Sequence, residues 1–581
     1  MLLKLLIKYS KPYTGWIVAV VILQLLSTIA ALYLPSLNAS IIDQGVSKGD
    51  TDFIWRTGGV MLAVAFGQVI TAILAVYFGA RTAMAVGRDL RRDVFSNVSA
   101  FSAREVNSFG AATLITRNTN DVQQVQMLLL MALNFMVSAP IMCVGGIIMA
   151  LREDFGLSWL VWVAVPLLGI VVGVLVAFLM PLFRTMQDRL DRINGVLREQ
   201  ITGIRVVRAF TREKFETERF DEANLRLTEI GVKVGQIFVL MFPIIMMIMH
   251  LSTAAVLWFG GQRVDAGEMQ VGSLTAFLQY LLQILMAVMM GTFMVMMIPR
   301  AVVCAERIDE VLSTPSTLTD PLVSGSGSAE PVPGAPAVEF KNVSFVYPGA
   351  EKPILNDISF TAPVGKTTAI IGSTGSGKTT LLNLIPRLYD PDSGSVLLDG
   401  RPTNTLPRSE ISRVVSAVPQ KPFLFSGTVA TNLRFGAQDA TDEELWEALR
   451  IAQAEDFVRE KGEGLDLKIS QGGTNVSGGQ RQRLCIARSL ASKPRVYLFD
   501  DSFSALDVST DARLRAALEE PTKDAAVIIV AQRVSTITSA DQILVMENGE
   551  IVGRGTHEEL LESNETYREI VESQISAEEV A

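Results

Sequence analysis

Six long apolar runs with few charges fill most of the first 300 residues of this 581-residue chain. A run of about 20 such residues crosses roughly 30 Å of hydrocarbon as a helix, because every backbone polar group is then satisfied within the segment. Read in order, the runs are 16–35, 58–80, 127–150, 156–180, 235–259 and 271–299. The first is too long for a cleavable signal and is followed by Pro35 and Ser36 without a small-residue cleavage site, so it reads as a retained helix.

The connections between runs alternate in length and charge. Lys4, Lys8 and Lys11 precede the first; Arg81, Arg88, Arg91, Arg92, Arg104 and Arg117 lie between the second and third; the segment 181–234 is denser still in Arg and Lys. The positive-inside rule places these sides and both termini in the cytoplasm. Alternating charge at helical spacing in the long connections predicts that spans two to five continue as helices beyond the bilayer. With no organelle-targeting presequence, the arrangement reads as a bacterial plasma-membrane protein.

Beyond residue 300 the composition changes. Residues 314–336 are rich in Pro, Gly and Ser and read as a linker, which divides a membrane domain (1–313) from a soluble domain (337–581). In the latter, β-branched runs such as 496–499 and 526–530 alternate with helical stretches, the pattern of an α/β domain with buried strands. The net charge of −9 argues against a nucleic-acid partner, and three dispersed cysteines suggest neither a disulfide framework nor a zinc site.

The chemistry concentrates in the soluble domain. Gly372, Ser373, Thr374, Gly375, Ser376, Gly377, Lys378 and Thr379 fit GxxxxGK[ST] between an apolar strand and a helix that opens at Thr380. Such a loop turns backbone N–H groups toward phosphates, its lysine reaches the β- and γ-phosphates, and its threonine hydroxyl can ligate Mg²⁺. A second apolar strand ends at Asp500, placed to hold Mg²⁺, with Asp501 following. Between them, Ser477, Gly478, Gly479 and Gln480 open a further helix with a second phosphate-ready N-terminus. Two cradles in one domain are redundant unless the second faces a nucleotide held by another copy.

These motifs, in this order and spacing, resemble a half-transporter of the ATP-binding cassette (ABC) superfamily, exporter type, along essentially the whole chain. The resemblance implies a multi-domain fold: a six-helix all-α transmembrane domain of the type IV exporter fold plus an α/β P-loop nucleotide-binding domain. It makes Tyr347 the aromatic that stacks on adenine, Gln420 the Q-loop glutamine near Mg²⁺, the stretch from Val476 to Gln480 the signature and Asp507 the D-loop aspartate. Segments 101–121 and 199–215 resemble the intracellular coupling regions. ATP and Mg²⁺ are the implied cofactors.

Three departures from the family pattern stand out. Asp501 occupies the position of the catalytic glutamate, and Gln532 that of the switch histidine; the chain's two histidines, His250 and His557, lie elsewhere. Ser470-Gln471-Gly472-Gly473 replaces the usual Gly-Glu-Arg-Gly. A shortened carboxylate and a neutral amide both weaken water activation, which predicts slow hydrolysis with binding retained. This resembles the degenerate half of a heterodimeric exporter whose signature completes the partner's competent site; a homodimer is the alternative.

Substrate choice falls to the membrane helices. A methionine cluster in the last two spans, including Met246, Met286 and Met290, suits varied apolar ligands. Gln24, Gln68, Asn134, His250, Gln279 and Gln283 are the polar residues deepest in the spans and the candidate pathway residues. A drug or lipid exporter is expected, against a lipid, fatty-acid or siderophore-like importer on the same scaffold. A nucleotide-gated channel ranks below both, since no charged pore lining is present.

Overall fold

The computed structural model describes residues 1–318 and 332–580, so most of the expected linker lies outside the described residues. The chain forms two compact units: Met1–Ser99 with Gly110–Thr314, and Ala100–Phe109 with the chain from Pro315 onward.

The first unit is all helical. Six helical stretches are long and apolar enough to cross a membrane. The first five contain α1 (Thr14–Ser40), α2 (Thr51–Ala100), α3 (Val137–Glu153), α4 (Trp159–Thr202) and α5 (Glu213–Asp265), and the sixth, Val271–Gly291, is the first half of α6 (Val271–Ser313). At 1.5 Å per residue, the 50 residues of α2 and the 53 of α5 reach well past a bilayer core, as the charged patterns predict. Helix α3 is preceded by a π-type turn, Ala132–Met136, and the helix Val122–Met131. The link from α3 to α4 is a short turn in which Asp154 accepts the Leu157 N–H at 2.7 Å and pairs with Arg263 at 3.2 Å. Inside the unit, Phe277, Tyr280, Leu281 and Ile284 of α6 are fully buried, and the Tyr280 hydroxyl donates to the Leu32 carbonyl at 2.8 Å. Ile73, Trp162, Ile170 and Phe178 point outward and exposed, an apolar exterior that water would penalise and lipid would cover.

The second unit is α/β. A sheet of β1 (Val338–Phe345), β2 (Leu355–Ala362), β4 (Ser393–Leu398) and β5 (Arg401–Pro402) is antiparallel, in the order β2-β1-β4-β5. The larger sheet comprises β3 (Thr367–Gly372), β6 (Val415–Val418), β9 (Val496–Asp500), β10 (Ala526–Val530), β11 (Gln542–Glu547) and β12 (Glu550–Gly555), ordered β12-β11-β3-β10-β9-β6. Its pairings are parallel except for β11 with β12. A sheet covered on both faces needs strands apolar on both faces, and every residue of β9 and β10 is buried. The two-residue period deals their side chains alternately into two cores. Tyr497, Phe499, Val527 and Ile529 enter the core beneath the helix Gly478–Ala491. Val496, Leu498, Ile528 and Val530 enter the core shared with β1, β2 and β4.

Three features of this unit bear on the site. Helix α7 (Lys378–Leu384) follows β3; α8 (Gly478–Ala491) carries the Ser-Gly-Gly turn; and the final helix α10 (Glu565–Val580), after α9 (Val508–Thr522), returns to the sheet. The short helix Ala103–Phe109 also belongs here: Asn107 Nδ2 donates to the Tyr389 hydroxyl at 3.3 Å, and Ser102 Oγ lies 3.1 Å from Thr317 Oγ1. The other expected coupling segment contains the helix Ile204–Ala209 of the first unit.

Candidate nucleotide site

The sheet order explains why residues scattered over more than 150 positions meet. Four adjacent strands, β3-β10-β9-β6, end on the same side. Beyond their carboxyl ends lie, in turn, the Gly372 loop, Gln532, Asp500 with Asp501, and Gln420. Carboxyl ends of parallel strands are where open α/β sheets bind ligands.

The loop from β3 into α7 closes around Lys378, whose Nζ donates to the carbonyls of Gly372 at 2.8 Å and Ser373 at 2.7 Å. Gly377 precedes α7 at φ 97°, where a side chain would be strained and its Cβ would meet the Ile354 carbonyl at 2.8 Å, so only glycine fits. A cavity of about 620 Å³ lies over this loop, walled by Tyr347, residues 371–375 and 377–380, Gln420 and Gln532. Tyr347 is set by a 3.1 Å contact between its hydroxyl and Thr380 Oγ1 and by edge-on packing against Tyr389 at 5.6 Å.

Thr379, which lines the cavity, donates to Asp500 Oδ1 at 3.2 Å, bringing together two oxygens suited to a hard cation. Burial pushes the Asp500 carboxyl above its ordinary value and the Asp501 charge adds to this, while Thr379 and Lys378 pull it down. Burial likewise holds the Lys378 ammonium below the usual lysine value, against the pull of Asp500 and Asp501.

Asp501 sits in the left-handed region at φ 48°, its N–H tied to the Val530 carbonyl at 3.0 Å. Its Oδ2 accepts two amide donors, Gln532 Nε2 at 2.7 Å and Gln420 Nε2 at 3.3 Å. The two departures from the family pattern are therefore bonded to one another, and one of the two Asp501 carboxylate oxygens, Oδ2, is occupied by side-chain amides.

Ser477 caps α8 reciprocally: Gln480 N–H donates to its hydroxyl at 3.2 Å, and its own N–H donates to Gln480 Oε1 at 3.0 Å. Ser477 and Gly478 are exposed, and none of Ser477, Gly478, Gly479 and Gln480 walls the cavity above the Gly372 loop. Asp507 caps α9, accepting from the Ser509 hydroxyl at 2.7 Å and the Thr510 N–H at 2.9 Å, bonds that hold its carboxyl well below the usual range.

Sequence reasoning missed one wall. Thr566, Glu569, Ile570 and Gln574 of α10 line the cavity together with Met546 and Glu547 of β11. No motif marks them, because their approach depends on the helix returning across the sheet from far along the chain.

The membrane candidates do not form one cluster. Gln24 is buried in α1 and Gln68 is half-buried in α2, while His250 and Gln279 lie on exposed faces of α5 and α6. Asn134 lies in the π-type turn, donating to the Leu130 carbonyl at 2.8 Å with its buried Oδ1 unpaired. Gln283 also has a buried, unpaired Oε1, beside a mostly apolar cavity of about 250 Å³ lined by Phe135, Ser138, Met142, Met286 and Met290.

Two family regions match the chain: the ABC transporter transmembrane region over residues 17–288 and the ABC transporter domain over 355–504. An uncharacterized ABC transporter ATP-binding protein of Mycobacterium tuberculosis is 50% identical over 578 residues, covering 99% of this chain and 98% of that protein. An ATP-dependent lipid A-core flippase of Mannheimia succiniciproducens is 32% identical over 566 residues, covering 95% of each. In fold, the chain is similar to a bacterial Atm1-family ABC exporter solved with ATP bound, at a TM-score of 0.78 and 24% identity over 96% of this chain and 99% of that one. With both regions present in order and a relative half identical along nearly its full length, the chain belongs to the ABC transporter family, as a multi-pass membrane protein with an ATP-binding transport-ATPase domain.

Proposed function

We propose that this chain is one half of an ATP-driven exporter of hydrophobic or amphipathic molecules in a bacterial plasma membrane, with its ATP-binding domain and both termini cytoplasmic. Its own site holds ATP and turns it over poorly. Its signature residues Ser477, Gly478, Gly479 and Gln480 complete the competent site of a partner half-transporter. The observation that carries this reading is the Asp501 carboxylate, one methylene short of a glutamate and occupied by Gln532 at 2.7 Å and Gln420 at 3.3 Å. A general base must reach the attacking water, and this one is shortened and already engaged.

Binding needs only what is intact. Tyr347 offers a face to adenine; the loop N–H groups and Lys378 take the phosphates; Asp507 shapes the contact between the two halves. Thr379, Asp500 and Gln420 suit Mg²⁺, which draws most of its oxygens from phosphate and water and so needs few from protein. When bound, the ion neutralises phosphate charge. Among the described residues no cluster of three His, Cys, Asp or Glu offers a separate metal cage. The lipid A-core flippase relatives and the orphaned Gln283 beside an apolar cavity support a lipid-like substrate carrying a hydrogen-bond donor.

The test is ATP hydrolysis by the purified chain, alone and co-purified with a candidate partner half-transporter from the same genome. Activity only in the pair supports the asymmetric reading; vigorous turnover by the lone chain replaces it with a homodimeric exporter.

A further inference from the structure

Gln574 contributes nothing to the catalytic motifs, yet its side chain makes two bonds to the loop that carries Gln532. Its Nε2 donates to the Gln532 carbonyl at 2.7 Å, and its Oε1 accepts the Val534 N–H at 2.8 Å. These backbone groups flank Arg533 just before the loop closes its own turn, in which the Thr536 N–H donates to the Arg533 carbonyl at 3.2 Å. One planar amide thus spans the loop as a neighbouring strand would.

The helix behind Gln574 is firmly placed. Tyr567 and Val571 precede it at helical spacing on one face and are buried in the core that also holds Phe499 and Val527. The Tyr567 hydroxyl lies 2.7 Å from His557 Nδ1, and Asn564 Oδ1 accepts the Tyr567 N–H at 2.8 Å. From that anchor a hydrogen-bond chain runs from Gln574 to the Gln532 backbone, from the Gln532 side chain to Asp501, and on to Gln420. Thr566, Glu569 and Ile570 of the same helix wall the cavity, as does Gln574 itself.

The geometry points to Gln574 as a positioning residue: α10 latches the Gln532 loop against the nucleotide cavity and sets how long nucleotide stays bound. The inference rests on the reading of that cavity as the ATP site. Releasing the latch frees the loop that forms one wall, so bound nucleotide leaves sooner although the Gly372 loop, Lys378 and Asp500 are unchanged; because Gln574 itself lines the cavity, the loop's own exchange is read beside the release rate. The two ends of the latch are separable, because a carboxylate at 574 keeps the acceptor for Val534 while setting an oxygen against the Gln532 carbonyl in place of the donor.

The test uses the full-length chain in nanodiscs with Gln574→Met, which keeps side-chain length and loses both bonds, and Gln574→Glu, which keeps one. Two readouts are taken: amide exchange of the peptide covering 531–537, and dissociation of the fluorescent analogue mant-ATP with Mg²⁺. Two net hydrogen bonds correspond to a change of about 5- to 100-fold, so Gln574→Met is expected to release mant-ATP that much faster and to expose the Val534 amide. Gln574→Glu is expected to keep the Val534 amide more protected than Gln574→Met does, while the carboxylate's repulsion of the Gln532 carbonyl and of the anionic nucleotide still speeds release. Normal dissociation from Gln574→Met with the Val534 amide exposed overturns the latch, as does an unchanged exchange pattern. Should either variant misfold, the other alone carries the comparison. A wild-type chain that binds no mant-ATP sinks the nucleotide reading and this inference with it, whereas normal wild-type binding with unaltered variants sinks the latch alone.

Discussion

Restoring the two departures should restore turnover, and the structure sets the size of the effect. In the double variant Asp501→Glu, Gln532→His, the carboxylate advances by one methylene, about 1.5 Å. It also loses the 2.7 Å amide bond that now occupies Oδ2. A misplacement of about 1 Å at a reacting group costs on the order of 100-fold, and a placed general base contributes about 10²–10⁴. We expect hydrolysis at this chain's site to rise about 100-fold, equivalent to about 2.7 kcal/mol of barrier. The backbone at residue 501 lies at φ 48°, which a glutamate tolerates less well than an aspartate. That penalty, about 1 kcal/mol at most, is small against a folding stability of roughly 5–15 kcal/mol and should not unfold the domain. The singles should not add: Gln532→His alone gives under about two-fold, because the base is still short, and Asp501→Glu alone still meets the Gln532 amide. The assay is phosphate release by the chain paired with the half-transporter proposed above as its partner, that protein's own site disabled by substitution of its P-loop lysine. A double variant within about three-fold of wild type, with mant-ATP affinity unchanged, would refute the argument that Asp501 and Gln532 limit this site.

Three further outcomes follow from particular contacts. Lys378→Ala removes the ammonium at the centre of the Gly372 loop, and loss of a charge-assisted contact should weaken mant-ATP binding by about 10- to 100-fold, read by fluorescence titration. Mg²⁺-dependent ATP affinity should fall as pH drops through the raised pKa of Asp500, above the ordinary aspartate range, because protonation removes the charge that would face the cation. The same shift means the folded state holds that proton more tightly than the unfolded chain, so this group alone favours folding as pH falls; Asp500→Asn should abolish the acid limb of binding in a titration with and without Mg²⁺. Tyr567→Phe removes the contact to His557 from a ring that is fully buried. Burial pushes that phenol up to about 12, so it stays protonated across ordinary pH, and losing the bond should cost about 1 kcal/mol, or roughly 2–4 °C in the melting transition of the ATP-binding domain by calorimetry.

Sequence alone carried much of this, for physical reasons that can be named. A membrane helix must be apolar over its whole length, so six spans are legible as runs, and charged helical periodicity foretold the extensions of α2 and α5. The Gly372 loop is legible because its backbone demands glycine at fixed places, Gly377 being the clearest case. What stayed hidden depends on side chains meeting across the sheet. The order β3-β10-β9-β6 is not the chain order, so nothing local foretold that Gln532 and Gln420 would donate to the same oxygen of Asp501. Gln574 carries no motif at all, since an amide that bonds backbone leaves no pattern in spacing. Membrane depth alone marked Asn134 and Gln283, whose amide oxygens are buried and unpaired, equally with His250 and Gln279, which lie on exposed faces of their helices, because depth carries no information about helix face.

The placement of Ala100–Phe109 within the ATP-binding unit bears on how such proteins can be recombined. The chain passes between its two units at three points rather than one, so the Pro-rich segment after Thr314 is not a clean seam for exchange. A graft that swaps everything from residue 315 onward would bring a foreign surface to Asn107, whose donor to Tyr389 stands one aromatic contact from Tyr347, and to Ser102, which meets Thr317. Inheritance of an ATP-binding domain therefore has to travel with a stretch encoded more than 200 residues upstream, and chimaeras that carry residues 100–109 along with the domain should tolerate the exchange better than those cut at the linker alone.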